Sequence, residues 1–301
     1  MSRIYVFNQF GGPEGEELTE RPVPQPGAGE ILVEVRAAGV NPADAKLREG
    51  AFGREGELPR ALGFEVSGIV TAVGPDVEEY AVGDEVLGSV APGEGGFADH
   101  ALLRVGDAQP KPEDISFAVA ATIPVAGTTA YDLTHDIELE AGQTLLILGA
   151  GGGVGHLVAG IGKVHQFKVI GIASESKRKL VESSGATFVA SGDGAAAAAR
   201  EIAPEGADLV IDLVGGQPLR DIAPLAKSPD LVISAADEAT VTELGGRGRV
   251  HNAESLEKIT SVVGYEVVTP MISAEYPLER ARDALAAVES GHTVGKVVIV
   301  P

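Results

Sequence analysis

Glycine fills most of the segment Gly149 to Gly155, so few side chains stand between this stretch of backbone and a ligand. The apolar run Thr144 to Leu148 precedes it and predicts a buried strand, and a helical pattern of apolar residues follows it. Exposed amides at a helix N-terminus attract anions, and dinucleotide-binding folds place the pyrophosphate there. The residues expected to bind it are Ala150, Gly152, Gly153, Val154 and Gly155.

Apolar and helical segments alternate after this loop. Strands are predicted over Lys168 to Ala173, Thr187 to Val189, Asp208 to Asp212 and Leu231 to Ser234, and helices over Glu175 to Ser183, Gly194 to Ile202 and Gln217 to Leu225. Such alternation predicts an α/β fold, a Rossmann-type doubly wound parallel sheet with right-handed crossovers. This context favours a dinucleotide site over the alternative, a flexible glycine loop between two packed elements.

The end of the second predicted strand indicates which cofactor is bound. An acidic residue there binds the ribose diol of NAD, and a basic one accepts the 2′-phosphate of NADP. Ser174 stands at that position, and Lys177 and Arg178 follow one turn later, within reach of a phosphate. NADPH is therefore favoured over NADH. Glu175 leaves NADH open, because it either stabilises the helix N-terminus or binds the ribose.

Composition restricts the class of protein. A chain of 301 residues accommodates two domains, and the absence of cysteine excludes disulfides, thiolate catalysis and cysteine-ligated zinc. There is no apolar stretch of about 18 residues. Since Met1 to Phe10 is not a basic, apolar leader either, a cytoplasmic protein without a membrane segment is expected. The net charge of −21 argues against nucleic-acid binding, which needs basic patches.

The chain before about Ile123 has a different texture, with short alternating runs divided by glycine and proline. Strands are predicted at Glu30 to Ala37, Gly68 to Val73, Asp84 to Val90 and Ala98 to Arg104, and helices at Pro42 to Arg48 and Ser116 to Thr122. A small β-rich domain therefore precedes the α/β domain.

Short motifs follow one another over nearly the whole chain. They read VRAAGVNPAD at Val35 to Asp44, LGFEVSG at Leu62 to Gly68, VGPDV at Val73 to Val77, GDEV at Gly83 to Val86, GGFA at Gly95 to Ala98, GTTAY at Gly127 to Tyr131 and SGHTVGK at Ser290 to Lys296. With the glycine loop among them, their order resembles that of the medium-chain dehydrogenase/reductase superfamily. The resemblance is strongest to its zinc-free NADPH:quinone oxidoreductase branch, the relatives of zeta-crystallin.

The resemblance implies a GroES-like, mainly β catalytic domain at residues 1–123 and 264–301, and a Rossmann dinucleotide-binding domain at residues 124–263. The amphipathic segment Pro277 to Glu289 and the apolar Lys296 to Val300 support the return of the chain to the first domain. Relatives commonly dimerise through an edge strand. Here Gly245 to Asn252 looks like a shortened remnant of that strand, so a homodimer stays open.

The resemblance also assigns candidate catalytic residues. Asn41 and Asp44 belong to a turn that the family points toward the acceptor, although an ordinary helix start uses the same residue types. Phe52 matches a position where relatives carry an aromatic residue near the nicotinamide, and Phe64, which replaces the metal-ligating histidine of zinc-dependent members, is expected to line the same pocket. Plain packing is the alternative for each. Thr128 matches a threonine beside the nicotinamide, and a helix N-cap is its other interpretation.

No metal site is expected. In zinc-dependent members of the superfamily a histidine stands between glycine and glutamate, where this chain has Gly63-Phe64-Glu65. The six histidines show no metal-ligand spacing, and no cysteine completes a site.

The expected function is a zinc-independent oxidoreductase that transfers a hydride from NADPH to a quinone or a similar electron-poor small molecule. Such acceptors need positioning more than strong acid catalysis, and the cofactor carries the chemistry. Two alternatives stay open. One is an NADPH-dependent reductase of enone or enoyl double bonds, and the other is a non-catalytic dinucleotide-binding protein, which the shortened segment after Ser234 keeps in view.

Overall fold

A computed structural model describes residues 1–301 of the chain, which divides into two compact units. Unit 1 comprises Met1–Val125 and Ile272–Pro301, and unit 2 comprises Ala126–Met271. The domain junctions expected from the sequence lie at 123/124 and 263/264. The assignment of a catalytic role to one domain and a cofactor-binding role to the other stays a prediction.

In chain order, the strands are β1 (Ser2–Phe7), β2 (Glu16–Arg21), β3 (Glu30–Val40), β4 (Arg60–Ala61), β5 (Glu65–Val73), β6 (Glu85–Val90), β7 (His100–Pro110), β8 (Thr144–Leu148), β9 (Lys168–Ala173), β10 (Thr187–Ala190), β11 (Leu209–Asp212), β12 (Val232–Ser234), β13 (Arg247–Gly248), β14 (Ile272–Pro277) and β15 (Lys296–Val300). The helices are α1 (Pro42–Glu49), α2 (Phe117–Ala120), α3 (Thr128–His135), α4 (Gly155–Val164), α5 (Arg178–Ser183), α6 (Ala195–Ile202), α7 (Gly216–Ile222), α8 (Glu238–Glu243), α9 (Ser255–Gly264) and α10 (Ala281–Glu289). Short 3-10 turns occupy Pro13–Gly15, Glu175–Lys177, Ala223–Leu225, Pro229–Leu231 and Leu278–Arg280, and a π-helical turn, Ile123–Gly127, leads into α3.

Unit 1 is built on a six-stranded sheet in the order β14-β15-β3-β5-β6-β7, in which β3 also pairs with β7. All pairs are antiparallel except β14 with β15. Strand β3 is long and almost wholly buried because its apolar residues contact neighbours on both sides. A smaller sheet, β2-β1-β4, joins the same unit. The small β-rich domain expected from the sequence is therefore present.

Unit 2 contains a parallel sheet in the order β10-β9-β8-β11-β12-β13. The chain starts in the middle at β8, runs outward to β10, and then returns to continue on the other side with β11. This reversal is the topological switch of a doubly wound fold. The predicted doubly wound parallel sheet is confirmed, and its central strands are buried as the apolar runs required.

Several elements lie outside the predicted set. Strand β1 is mostly buried, whereas β2 and β14 have polar, half-exposed sequences that lack a clear apolar alternation. Helix α8 starts where the Asp237 side chain accepts a hydrogen bond from the Thr240 N–H (3.0 Å). The amphipathic segment from Pro277 is divided, since Pro277 ends β14 and α10 begins only at Ala281.

The edge of the parallel sheet is short. Strand β13 pairs with β12 at two positions, Ile233 with Arg247 and Ser234 with Gly248. It lies in the segment Gly245 to Asn252, which the sequence indicated to be a shortened remnant. No helix of the chain is both long and apolar enough to cross a bilayer.

Candidate functional site

The glycine loop connects the carboxyl end of β8 to the first turn of α4. Gly149 adopts a left-handed conformation (φ +94°), which turns the chain sharply out of the strand. The N–H groups of Gly149 and Ala150 both donate to the Ile172 carbonyl of β9, at 3.0 and 3.1 Å. The loop is thereby fixed at the sheet edge where doubly wound folds bind their ligands.

The glycines of this loop meet two different steric requirements. A Cβ atom on Gly155 would lie 2.3 Å from the Gly149 carbonyl oxygen, so the helix and the loop pack too closely for a side chain. A Cβ atom on Gly152 would lie 3.5 Å from the same oxygen, which is an ordinary contact. Packing requires glycine at 155, whereas at 152 its effect is to leave the main chain bare. Ala150 replaces the first glycine of the usual fingerprint, and its methyl group is buried.

Lys177 lies beside the glycine loop. A Cβ atom on Gly151 would come within 2.5 Å of Lys177 Cβ, so the aliphatic part of the lysine covers this glycine. Burial lowers the pKa of Lys177 below its usual value. Ser174 directly follows β9, its carbonyl accepts from the Lys177 N–H (2.9 Å), and its hydroxyl lies 3.1 Å from that of Ser176. The structure therefore brings Ser174, Lys177 and the loop together.

Arg178 is held in a separate network. Its guanidinium pairs with Glu175 at 2.6 Å and Glu182 at 3.3 Å, and it stacks 4.1 Å from the centroid of the Phe188 ring. The Glu175 carboxylate, the alternative ribose ligand, faces Arg178, and this pairing lowers its pKa. Arg178 is thus partly neutralised.

His156 was not among the predicted site residues, yet it is buried and bound at both ring nitrogens. Its Nδ1 lies 2.8 Å from the Gly152 carbonyl oxygen, and its Nε2 lies 2.9 Å from the Met271 N–H. The second contact requires Nε2 to accept, so Nδ1 carries the proton and donates to Gly152. The sequence signal was its place directly after the loop.

Thr128 is the first residue of α3, and Gly127 rather than Thr128 occupies the N-cap position. The Thr128 hydroxyl contacts the Arg249 guanidinium at 3.2 Å. Arg249 also binds Thr129 (2.7 Å) and the buried carboxylate of Asp132 (2.8 Å). These contacts attach the segment after β13 to the start of α3, a link between residues more than a hundred positions apart that local patterns do not reveal.

Asn41 lies between β3 and α1, and its side chain is buried. Its Nδ2 donates to Glu65 Oε1 (2.8 Å), and its Oδ1 accepts from Lys296 Nζ (2.6 Å). Both ends of the amide are therefore engaged inside unit 1. This geometry favours a role in positioning over direct contact with an acceptor.

Asp44 has no exposed surface, and both of its oxygens accept backbone hydrogen bonds. Asn41 N donates to Oδ2 (2.8 Å) and Gly63 N donates to Oδ1 (2.9 Å). Burial raises the pKa of Asp44 to about 7, although the two N–H groups oppose this shift. The carboxylate joins the helix start, its expected alternative role, to the chain just before Phe64.

Phe64 and Phe52 form an edge-to-face pair, with ring centroids 6.5 Å apart and planes at 88°. Phe52 is 59% exposed, a large fraction for an aromatic side chain, and Phe64 is half-buried. The structure thus brings together the two predicted aromatic residues, next to the backbone that Asp44 holds.

The carboxylate that follows Phe64 in the chain is fully engaged. Glu65 is bound by Asn41, Lys296 and the Val125 N–H. Across the chain, no group of three or more histidine, cysteine, aspartate or glutamate side chains is arranged to hold a metal ion.

Comparison with known proteins identifies both halves of the chain. Residues 27–113 match the alcohol dehydrogenase GroES-like domain, which confirms the predicted fold of the β-rich unit, and residues 184–299 match the family described as zinc-binding dehydrogenase. The chain is 30% identical to the quinone oxidoreductase of Rattus norvegicus, in an alignment that covers 100% of this chain and 98% of that protein. It is 32% identical to the chloroplastic NADPH-dependent alkenal/one oxidoreductase of Arabidopsis thaliana, covering 99% and 79%.

Among solved structures, a mycobacterial protein in complex with NADPH superposes with a TM-score of 0.89 at 26% identity, and the match covers 100% of both chains. The shared fold, the family matches and the identity along the full length agree with one another. The chain belongs to the medium-chain dehydrogenase/reductase superfamily, a family of oxidoreductases, and within it to the quinone oxidoreductase branch.

Proposed function

We propose that the protein is a zinc-independent oxidoreductase that uses NADPH to reduce a quinone or a similar electron-poor acceptor. The observation that carries this proposal is the bare main chain at Gly152, in a loop at the switch point of a doubly wound sheet. A rat relative named quinone oxidoreductase, alignable along the full length, supports the acceptor class.

The backbone of Ala150, Gly152, Gly153, Val154 and Gly155 would hold the cofactor pyrophosphate, because the first N–H groups of a helix lack intrahelical partners. Ser174 and Lys177 would bind the 2′-phosphate, and Arg178 would contribute from its pairing with Glu175. NADPH is favoured over NADH because the carboxylate in this region already faces an arginine. Bound NADPH supplies the hydride.

In unit 1, Phe52 and Phe64 would provide apolar surface for a flat acceptor ring. Asn41 and Asp44 would fix the backbone behind that surface rather than exchange protons with the acceptor. In unit 2, Thr128 would contact the nicotinamide, with its hydroxyl oriented by Arg249. Zinc is left out because phenylalanine replaces the histidine ligand and the buried glutamate is already bound.

Reduction of an enone or enal double bond is the second candidate. It is favoured by the Arabidopsis relative, whose name describes that activity and whose identity to this chain is 32%. The same cofactor site would serve either acceptor.

A cofactor-oxidation assay tests the proposal. We expect NADPH, more than NADH, to be consumed with 1,4-benzoquinone or 9,10-phenanthrenequinone, and to the same extent after dialysis against a metal chelator. Faster turnover with a short enal would favour the second candidate. Binding of NADPH in calorimetry without turnover of any acceptor would leave the non-catalytic dinucleotide-binding protein, and absence of binding would exclude all three.

A further inference from the structure

Glu65 is a fully buried carboxylate that follows Phe64 directly in the chain. Its Oε1 accepts from Asn41 Nδ2 (2.8 Å) and Lys296 Nζ (3.0 Å), and its Oε2 accepts from Val125 N (2.7 Å). Burial of an ionised carboxylate costs several kcal/mol unless it is paired and hydrogen-bonded. Here both oxygens are bound, so hydrogen bonds and the paired ammonium offset the cost of burial.

Lys296 is buried equally well and completes the cluster. Its ammonium donates to Val40 O (3.0 Å), Asn41 Oδ1 (2.6 Å) and Glu65 Oε1 (3.0 Å), which accounts for all three of its protons. The structure even leaves room for the pair, because a Cβ atom on Gly39 would lie 2.2 Å from Glu65 Oε1. The ion pair therefore requires specific residues on three strands.

This cluster holds the part of unit 1 that carries Phe64. On one side of Phe64, Gly63 N donates to Asp44, and on the other side Glu65 is anchored through its own side chain. Glu65 also receives the N–H of Val125 in the π-helical turn Ile123–Gly127, and such turns are frequent at functional sites. Replacing a buried ion pair by apolar groups is often neutral for stability. The pair is therefore expected to contribute to the position of Phe64 more than to the stability of the fold.

We propose that Glu65 and Lys296 are positioning residues, whose buried ion pair fixes the Phe64 ring and the π-helical turn for reaction with the acceptor. This inference rests on the proposed function, because it takes Phe64 to line the acceptor site. Neither residue contacts acceptor or cofactor in this role. They act through Asn41, Val125 and the backbone of Phe64.

The chain offers a matched control pair. Arg48 and Glu16 form another buried ion pair of unit 1 at 2.5 Å, with side chains 2% and 0% exposed, and they join α1 to β2 rather than to Phe64. The double variants Glu65→Gln/Lys296→Met and Glu16→Gln/Arg48→Met each remove both charges of one pair, and the second also frees the Glu289 carboxylate, 30% exposed, which Arg48 binds. Thermal unfolding selects a temperature at which all proteins are folded.

Kinetics and a fluorescent reporter then test the role. We expect the acceptor KM of the Glu65/Lys296 variant to rise about three- to five-fold while the NADPH KM changes less than about two-fold, and the control variant to match the wild type in both. The chain contains no tryptophan, so Phe64→Trp introduces a single fluorescent reporter at position 64. Its anisotropy should fall in the Glu65/Lys296 background and stay constant in the Glu16/Arg48 background.

Equal anisotropy in the two backgrounds, or an acceptor KM that shifts no more than in the control, would overturn the inference. If the wild-type protein oxidised no NADPH, the proposed function would be wrong, and the reporter would still decide whether the ion pair orders residue 64. If Glu65→Gln/Lys296→Met did not fold, Glu65→Asp would serve instead. The shorter aspartate keeps the negative charge but moves the carboxylate away from the Val125 N–H. The same changes in acceptor KM and anisotropy are expected for this variant.

Discussion

The glycine loop of unit 2 and the region around Phe64 in unit 1 both hold backbone in a fixed position, by opposite means. In the loop, side chains are absent, and the main chain turns and packs closely at Gly149 and Gly155. Around Phe64, buried carboxylates of Asp44 and Glu65 accept the backbone N–H groups directly. The first solution costs chain entropy and the second costs desolvation.

The two regions are therefore vulnerable to different kinds of substitution. A loop made of glycine fails when a side chain is added, because the close approach is lost. A region held by buried carboxylates fails when a neutral residue replaces one of them, because an acceptor group for the backbone N–H is lost. Single substitutions in each region separate these two kinds of failure.

The largest effect is expected from Gly155→Ala. Its methyl group would lie 2.3 Å from a backbone oxygen, so the free energy of unfolding should fall by about 3 kcal/mol. Gly152→Ala is the matched control, because its methyl group makes only an ordinary contact with that oxygen. It should change stability by less than about 1 kcal/mol but weaken NADPH binding at least about ten-fold. Urea unfolding and calorimetry measure the two quantities, and equal stabilities would contradict the steric argument.

Asp44→Asn should produce an effect on stability that depends on pH. Burial raises the pKa of Asp44 to about 7 from an ordinary 3.8. Between these values the unfolded chain releases its proton first, so the folded wild type loses stability as the pH rises, by up to about 1.4 kcal/mol per pH unit. The asparagine variant lacks this titration. The stability of the wild type relative to the variant should therefore fall between about pH 4 and pH 7.

Asp99 provides a control of opposite sign for this experiment. Burial opposes the shift, but the Arg3 guanidinium and the Arg3 N–H hold the pKa of Asp99 below its usual value. Its contribution to stability is present above the unfolded pKa and is lost as the pH falls through the folded one. Urea unfolding at several pH values should show opposite slopes for Asp44→Asn and Asp99→Asn, and parallel slopes would reject the assignment for Asp44.

Lys177→Ala tests the 2′-phosphate contact. Loss of one charged hydrogen bond should raise the NADPH KM about ten-fold and leave the NADH KM within about two-fold. Arg178→Ala should raise the NADPH KM less, because Glu175 and Glu182 already pair with the guanidinium. Steady-state kinetics with both cofactors measure the effect. A larger loss for Arg178→Ala would mean that the arginine leaves its network to bind the phosphate.

The smallest effects should come from substitutions of the aromatic pair, Phe52 and Phe64. Phe64→Ala should raise the acceptor KM about five-fold, and Phe52→Ala about two-fold, because more of the Phe52 ring is already in water. Kinetics with one quinone and one enal measure both values. A greater effect at Phe52 would show that the exposed ring closes over the acceptor.

Local patterns were enough to predict the glycine loop and the parallel sheet. The run Thr144–Leu148 and the helix after it have periodicities that fit within one window of sequence. The Phe64 region could not be predicted in this way. The cluster behind Phe64 joins Asn41, Glu65 and Lys296, and the last two residues are separated by 231 positions in the sequence. In unit 2, the contact between Arg249 and Asp132 likewise joins residues that are 117 positions apart. Only the tertiary fold shows that the Asn41 amide turns inward.

The two-residue strand β13 has a consequence for the protein in concentrated solution. An edge strand of full length presents a row of unpaired N–H and C=O groups, to which strands of other molecules can add without limit. Here β13 pairs with β12 at only two positions, and the residue directly after the strand, Arg249, binds Asp132 of α3. The outer rim of the sheet is thereby protected against open-ended polymerisation, at a place where the fold would otherwise offer a template.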